Sequence, residues 1–244
     1  MALFLDLDNT LFSSVPAYEY AIQQISLFWK KKKHGSAEEF IELYEKYRKK
    51  TKTVLAKHTS NRLRLLCFKQ LIEEKYGRLN PALGLELDKL YYQYFKEEVK
   101  REQKKKKKEF GKLFKILKQI SKKQQIVLVT NETLRTQLMK LSFFFPKNIP
   151  VKLVASEEVG IEKPESPIFQ RALEVSNSIS ENCMMIGDSL KDDIGGAMRL
   201  GIKGIHLTAM FGKNKTLIPK SIENGNYLET DNVISALEYF IREM

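Results

Sequence analysis

The sequence predicts an α/β protein: a doubly wound parallel sheet interrupted after its first strand by an all-helical insert. Three observations carry that prediction. A short apolar run at residues 2–7 ends in carboxylates. The stretch from about Pro16 to Arg101 shows helical spacing and almost no strand signal. From Phe110 onward, short apolar runs alternate with amphipathic ones, the pattern of a parallel sheet covered by helices. The first strand has no other sheet to join. The chain therefore divides into a core, 1–12 with 113–244, and an insert, 13–112.

Residues 2–7, Ala-Leu-Phe-Leu-Asp-Leu, read as a buried strand opening onto a site. In the insert, Tyr18, Ile22, Ile25 and Trp29 form one apolar stripe, and Phe40, Leu43, Tyr44 and Tyr47 a second. Leu63, Leu66, Phe68 and Leu71 form a third, and Leu87, Leu90, Tyr91, Tyr94 and Phe95 a fourth. Such spacing places each set on one helix face, the core of a helix bundle rather than a cofactor box. Ser36 followed by Glu39 starts a capping box, and Ser60 is placed to cap the third helix. Beyond the insert, helices are expected at 110–120, 132–141, 167–175, 193–200 and 233–242, the fourth stopped by Gly201. Strands are expected at 126–129, 151–154, 183–186 and 205–207. No internal repeat is visible.

The 244 residues carry 42 Lys plus Arg against 30 Asp plus Glu, a formal charge of +12. An apolar share of 43% and a charged share of 30% are those of a folded protein, not a disordered one. No run of about 18 apolar residues exists, so no membrane span is expected. The opening residues reach Asp6 and do not read as a signal peptide. Two cysteines, Cys67 and Cys183, supply neither a disulfide scaffold nor a metal clip. Both are expected to be buried and inert, and a cytoplasmic setting follows as the expectation. The charge is uneven. Residues 13–112 hold 25 basic and 13 acidic side chains, while the remainder balances at 17 of each. Lysine runs at 30–33 and 104–108 stand out, in a chain with 33 Lys and 9 Arg. A lysine-dominated excess fits a solvated helical face better than nucleic-acid recognition, which favours Arg. A nucleic-acid-binding insert remains the alternative.

Sites in doubly wound sheets lie at the carboxyl ends of the strands. Four such ends carry polar signatures here: Asp6-Leu7-Asp8-Asn9-Thr10-Leu11, Thr130-Asn131, Glu162-Lys163-Pro164, and Gly187-Asp188-Ser189 with Asp192-Asp193. Buried carboxylates repel one another and are costly to desolvate unless a cation or a Lys compensates.

This set resembles the four motifs of the haloacid dehalogenase (HAD) superfamily, in particular its Mg²⁺-dependent phosphatases with a helical cap inserted after the first strand. The resemblance covers the whole chain and implies a Rossmann-like core. The segment Ser156-Glu157-Glu158-Val159-Gly160-Ile161-Glu162-Lys163-Pro164, with Asp193-Ile194-Gly195-Gly196, is similar to the branch holding N-acylneuraminate-9-phosphatases and pyrimidine 5'-nucleotidases. The resemblance implies hydrolysis of a small phosphorylated metabolite, a nucleotide or sugar phosphate, through an aspartyl-phosphate. A phosphomutase of the same superfamily is a further alternative. Asp6 would be the nucleophile, and Asp8 would protonate the leaving group and then activate water. Thr130, the Asn131 amide and Lys163 would hold the phosphoryl oxygens. Mg²⁺ would be held by the Asp6 and Asp188 side chains and the Asp8 carbonyl. Asp193 is preferred over Asp192 as the last motif's second carboxylate, because it precedes Ile194-Gly195-Gly196.

Related phosphatases often carry a Pro-Gly turn on the return from the cap. Here lysines 104–108 precede Glu109, Phe110 and Gly111. Arg62 and Arg64 either grip an anionic substrate tail or line an exposed helix face. His34, His58 and His206 have no paired metal ligand nearby and are expected to be structural or solvent-facing.

Overall fold

A computed structural model describes residues 1–214 and 216–243. The chain forms two compact units, one of Met1–Ser13 with Gln103–Met244, the other of Ser14–Glu102. The first unit is built on a seven-stranded sheet. Its strands are β1 (Ala2–Leu5), β2 (Gln125–Thr130), β3 (Lys152–Ala155), β4 (Cys183–Gly187), β5 (Lys203–Leu207), β6 (Ile218–Ile222) and β7 (Gly225–Thr230). They lie in the order β3-β2-β1-β4-β5-β7-β6. All neighbours are parallel except the β6–β7 hairpin.

The runs that form the central strands are continuously apolar because both faces of the sheet are covered. Phe4, Val127, Val129 and Val154 share a buried cluster with Ile168, Phe169 and Ala172. The alternate residues Leu3, Leu5, Leu128 and Ile186 are equally buried.

The second unit holds α1 (Ser14–Lys31), α2 (Ala37–Val54), α3 (Arg64–Tyr76) and most of α4 (Pro81–Lys105). The expected aromatic stripes are its core: Trp29 packs against Phe40 at 5.4 Å and Phe68 against Tyr91 at 6.1 Å between ring centres. Ser36 caps α2 by accepting from the Glu39 amide at 3.0 Å. Ser60 does not cap α3. It lies in a 3₁₀ turn, Thr59–Arg62, that His58 caps instead. Arg64 is buried beneath Tyr18, 4.6 Å from the ring centre, and does not line an exposed face.

The remaining helices belong to the first unit: α5 (Lys107–Ile120), α6 (Leu134–Phe144), α7 (Ser156–Val159), α8 (Ser166–Ser176), α9 (Gly196–Met198) and α10 (Val233–Glu243). Only Lys106 separates α4 from α5. The change of unit falls at Glu102, earlier than the expected 112, because the apolar face of α5 (Phe110, Leu113, Leu117) is buried within the first unit, where α5 packs on α10.

This boundary corrects the charge distribution. Residues 14–102 hold 19 basic and 12 acidic side chains, and the first unit holds 23 and 18, so the core is not neutral. Both lysine runs begin in the last turn of a helix, α1 and α4, where cations complement the helix dipole. Among the described residues, no helix is long and apolar enough to cross a membrane.

The β6–β7 hairpin is not anticipated by the sequence. β6, Ile-Pro-Lys-Ser-Ile, is mostly exposed and shows no apolar alternation, and its proline is tolerated because the strand lies at the sheet edge.

Candidate active site

The strand order reverses beside β1: the chain builds β2 and β3 on one side and β4 and β5 on the other. Clefts form at such a switch point. Asp6 stands one residue past β1 and stays in register, its amide donating to the Ile186 carbonyl at 3.0 Å. Its side chain is buried. The chain then doubles back. Asn9 adopts a left-handed φ of 63°, a conformation Asn tolerates, and its amide donates to the Phe12 carbonyl at 2.8 Å. Asp6 and Asp8 consequently reach different partners.

Lys163 is the hub of the Asp6 side. Its Nζ donates to Asp6 Oδ1 at 2.7 Å and to the Val129 carbonyl at 2.6 Å, and lies 2.6 Å from Asp193 Oδ1. These partners use all three ammonium donors. Asn131 fixes the lysine's backbone: its Nδ2 donates to the Lys163 carbonyl at 2.9 Å, and its Oδ1 accepts from the Lys163 amide at 2.6 Å. The sequence assigns a role only to the backbone amide of Asn131, so this side-chain clamp is an addition.

Beyond β4, Asp193 is buried and accepts from the Ser189 amide through Oδ2 at 2.9 Å. Residue 187 must be glycine for this. A Cβ there would lie 2.3 Å from Asp193 Oδ2. Carboxylate oxygens of Asp6, Asp188 and Asp193 lie within 4.8 Å of one another, and Asp192 is not part of that group. The Asp192 amide instead donates to Ser189 Oγ at 3.0 Å, capping a π-helical turn, Leu190–Gly195.

The electrostatics follow from this crowding. Burial, opposed by Lys163 and reinforced by Asp193, Asp188 and Asp8, holds the Asp6 carboxyl well above the usual range. Burial and the charge of Asp193 push Asp188 up to about 6. Lys163 is raised: burial pulls it down, but the charges of Asp193 and Asp6 outweigh that. Three carboxylates facing one ammonium leave an excess of negative charge that a divalent cation would offset, and hard carboxylate oxygens suit Mg²⁺.

Asp8 is held from α6. Lys140 Nζ donates to both of its oxygens at 2.8 Å, and Gln137 Nε2 donates to Oδ2 at 2.9 Å. The same Gln137 nitrogen lies 2.6 Å from Thr130 Oγ1, which ties Thr130 to Asp8. Gln137 and Lys140 are fully buried, and neither is singled out by the sequence. The available signal is their position. Thr133, Gln137, Lys140 and Phe144 fall at the spacing of one helix face, and that face points inward.

His206 is structural, as expected. Nε2 faces the Asp188 carbonyl and Nδ1 faces Glu229, each at 3.1 Å. His34 Nδ1 lies 2.6 Å from the Tyr76 hydroxyl. Cys67 and Cys183 are buried, and burial raises both thiols.

Three carboxylates gathered around a buried lysine thus stand at the switch point of a doubly wound sheet. The chain belongs to the haloacid dehalogenase-like hydrolase family, whose model matches residues 1–201. It is 28% identical over 213 residues to ribulose-1,5-bisphosphate 5-phosphatase of Halopiger xanaduensis, covering 84% of this chain and 83% of that one. It is 26% identical over 230 residues to human N-acylneuraminate-9-phosphatase, covering 93% and 88%. Among solved structures, 2-haloacid dehalogenase from Pseudomonas syringae pv. Tomato DC3000 superposes with a TM-score of 0.71 over the full length of both chains at 20% identity, a likeness of fold.

Proposed function

We propose that the protein is a Mg²⁺-dependent phosphatase that hydrolyses a small phosphorylated sugar through an aspartyl-phosphate on Asp6. The single observation that carries the reading is the meeting of Asp6, Asp188 and Asp193 around Lys163 at the switch point. The sugar class is supported by the names of the two phosphatases that match most of the chain. The helical unit, 14–102, would be a cap that selects the leaving group and excludes water.

Asp6 attacks phosphorus and takes the phosphoryl group, and the substrate's ester oxygen departs. Asp8 gives that oxygen its proton and then takes one from the water that releases phosphate. Lys163 offsets the charge of Asp6 and of the phosphoryl oxygens, joined by Thr130 and the Asn131 amide. The cation, held by Asp6, Asp188 and the Asp8 carbonyl beside Asp193, would neutralise charge on the transferring group. Asp8 separates this reading from dehalogenation, because a halide leaves as a stable anion and needs no proton, whereas an alkoxide does.

Turnover of p-nitrophenyl phosphate should require Mg²⁺ and disappear in excess chelator. Activity undiminished by chelator would sink the metal assignment.

The carboxylates give a second readout that needs no substrate. A carboxyl raised in the folded state stabilises the metal-free protein below its unfolded pKa, and that stability is lost as pH rises through the folded value, here about 6 for Asp188. Cation binding requires the ionised form. Mg²⁺ should therefore raise Tm more at pH 8 than at pH 5. An equal rise at both would mean that these carboxylates are not where Mg²⁺ binds.

A further inference from the structure

The proton-transfer role proposed for Asp8 leaves open what aims its carboxyl group. We infer that Lys140 and Gln137 are positioning residues that lock Asp8 in the orientation for proton transfer, an inference that rests on the phosphatase reading. Asp8 lies beyond the strand, in a doubled-back loop, with a side chain 22% exposed. An aspartate so placed would ordinarily sample several rotamers. Here three donor contacts from one helix face converge on it: Lys140 Nζ on each oxygen and Gln137 Nε2 on Oδ2.

The arrangement is costly enough to need an explanation. Lys140 is fully buried, which is rare for lysine. It also faces Glu132, at 3.9 Å, and its ammonium lies 5.7 Å above the Phe12 ring centre. Gln137 spends its amide nitrogen on Asp8 and Thr130 while its Oε1 stays buried without a hydrogen-bond partner. A buried amide with one end unsatisfied is destabilising. Packing alone would be served better by leucine or methionine at both positions. Both costs are explained if the two side chains are there to fix Asp8, and, through Gln137, to fix it relative to Thr130.

In the reaction this means that the proton leaves Asp8 for the ester oxygen as the phosphorus–oxygen bond to the leaving group breaks and the bond to Asp6 forms. The carboxylate, unmoved, then receives a proton from water as the Asp6–phosphorus bond breaks. Misalignment should matter in proportion to how badly the leaving group needs that proton.

The test compares kcat/KM on two aryl phosphates of similar size, p-nitrophenyl phosphate, whose leaving group needs little protonation, and phenyl phosphate, whose leaving group needs more. Lys140→Met should lower kcat/KM on phenyl phosphate by about 10²-fold and on p-nitrophenyl phosphate by less than about 10-fold. Lys140→Arg should restore part of the difference. In an Asp8→Asn background, Lys140→Met should cost nothing further, since Lys140 acts through Asp8. Gln137→Met leaves the ion pair intact and should show the same leaving-group signature at smaller amplitude, so the idea stays testable if Lys140→Met does not fold. An equal loss on both substrates, or an undiminished loss in the Asp8→Asn background, would overturn the positioning role while leaving the phosphatase reading intact. Full activity of Asp8→Asn on phenyl phosphate would instead remove the proton-transfer role of Asp8 and this inference with it.

Discussion

Asp6→Asn should abolish turnover while leaving the protein folded. The substitution keeps the shape of the side chain and removes the nucleophile, and loss of a nucleophile costs about 10³-fold or more in kcat. Folding should survive because Lys163 keeps two of its three partners, the Asp193 carboxylate at 2.6 Å and the Val129 carbonyl at 2.6 Å. The neutral amide also relieves the crowding that holds the Asp6 carboxyl above its usual range. Steady-state turnover of p-nitrophenyl phosphate and thermal unfolding, measured on the same preparation, check both halves. A variant that is inactive because it is unfolded would not support the assignment.

Lys163→Met should fail on both counts. It leaves Asp6 and Asp193 buried without their shared cation, and breaking a buried pair by removing one partner costs about 3–5 kcal/mol. For a chain of this size that corresponds to a fall in Tm of about 10 °C. The loss should be larger at high pH, where the abandoned Asp6 carboxyl is ionised, than at low pH, where it takes up a proton. Unfolding curves in chelator at both ends of the pH range would show it. A Lys163→Met protein as stable as the parent would mean that the carboxylates are neutralised by something other than this lysine.

Much of this site is legible in the sequence because parallel strands announce themselves. Runs such as Ala-Leu-Phe-Leu and Ile-Val-Leu-Val are buried on both faces, so their ends can be placed within a residue or two, and the polar residues at those ends fall on the switch point. Asp193 joins the carboxylate group while the Asp192 amide serves a cap.

The parts that are not legible share a cause. Lys140 and Gln137 look like ordinary polar residues of an amphipathic helix, because composition does not say which polar side chains a helix turns inward. β6 escapes because an exposed edge strand has no buried face to impose alternation. The lysine run at 104–108 gives no sign that two helices meet there, separated by Lys106 alone. The helical unit has its core in plain view, in Trp29, Phe40, Phe68 and Tyr91.

The central claim is that Asp6 carries the phosphoryl group. Acid quenching during turnover of p-nitrophenyl phosphate with Mg²⁺, followed by mass spectrometry of the N-terminal peptide, tests it most directly. The account predicts one added phosphoryl group on Asp6, absent from Asp6→Asn and from enzyme quenched before substrate. Steady turnover in which Asp6 stays unmodified, or in which Asp6→Asn releases phosphate at the parent rate, would contradict it.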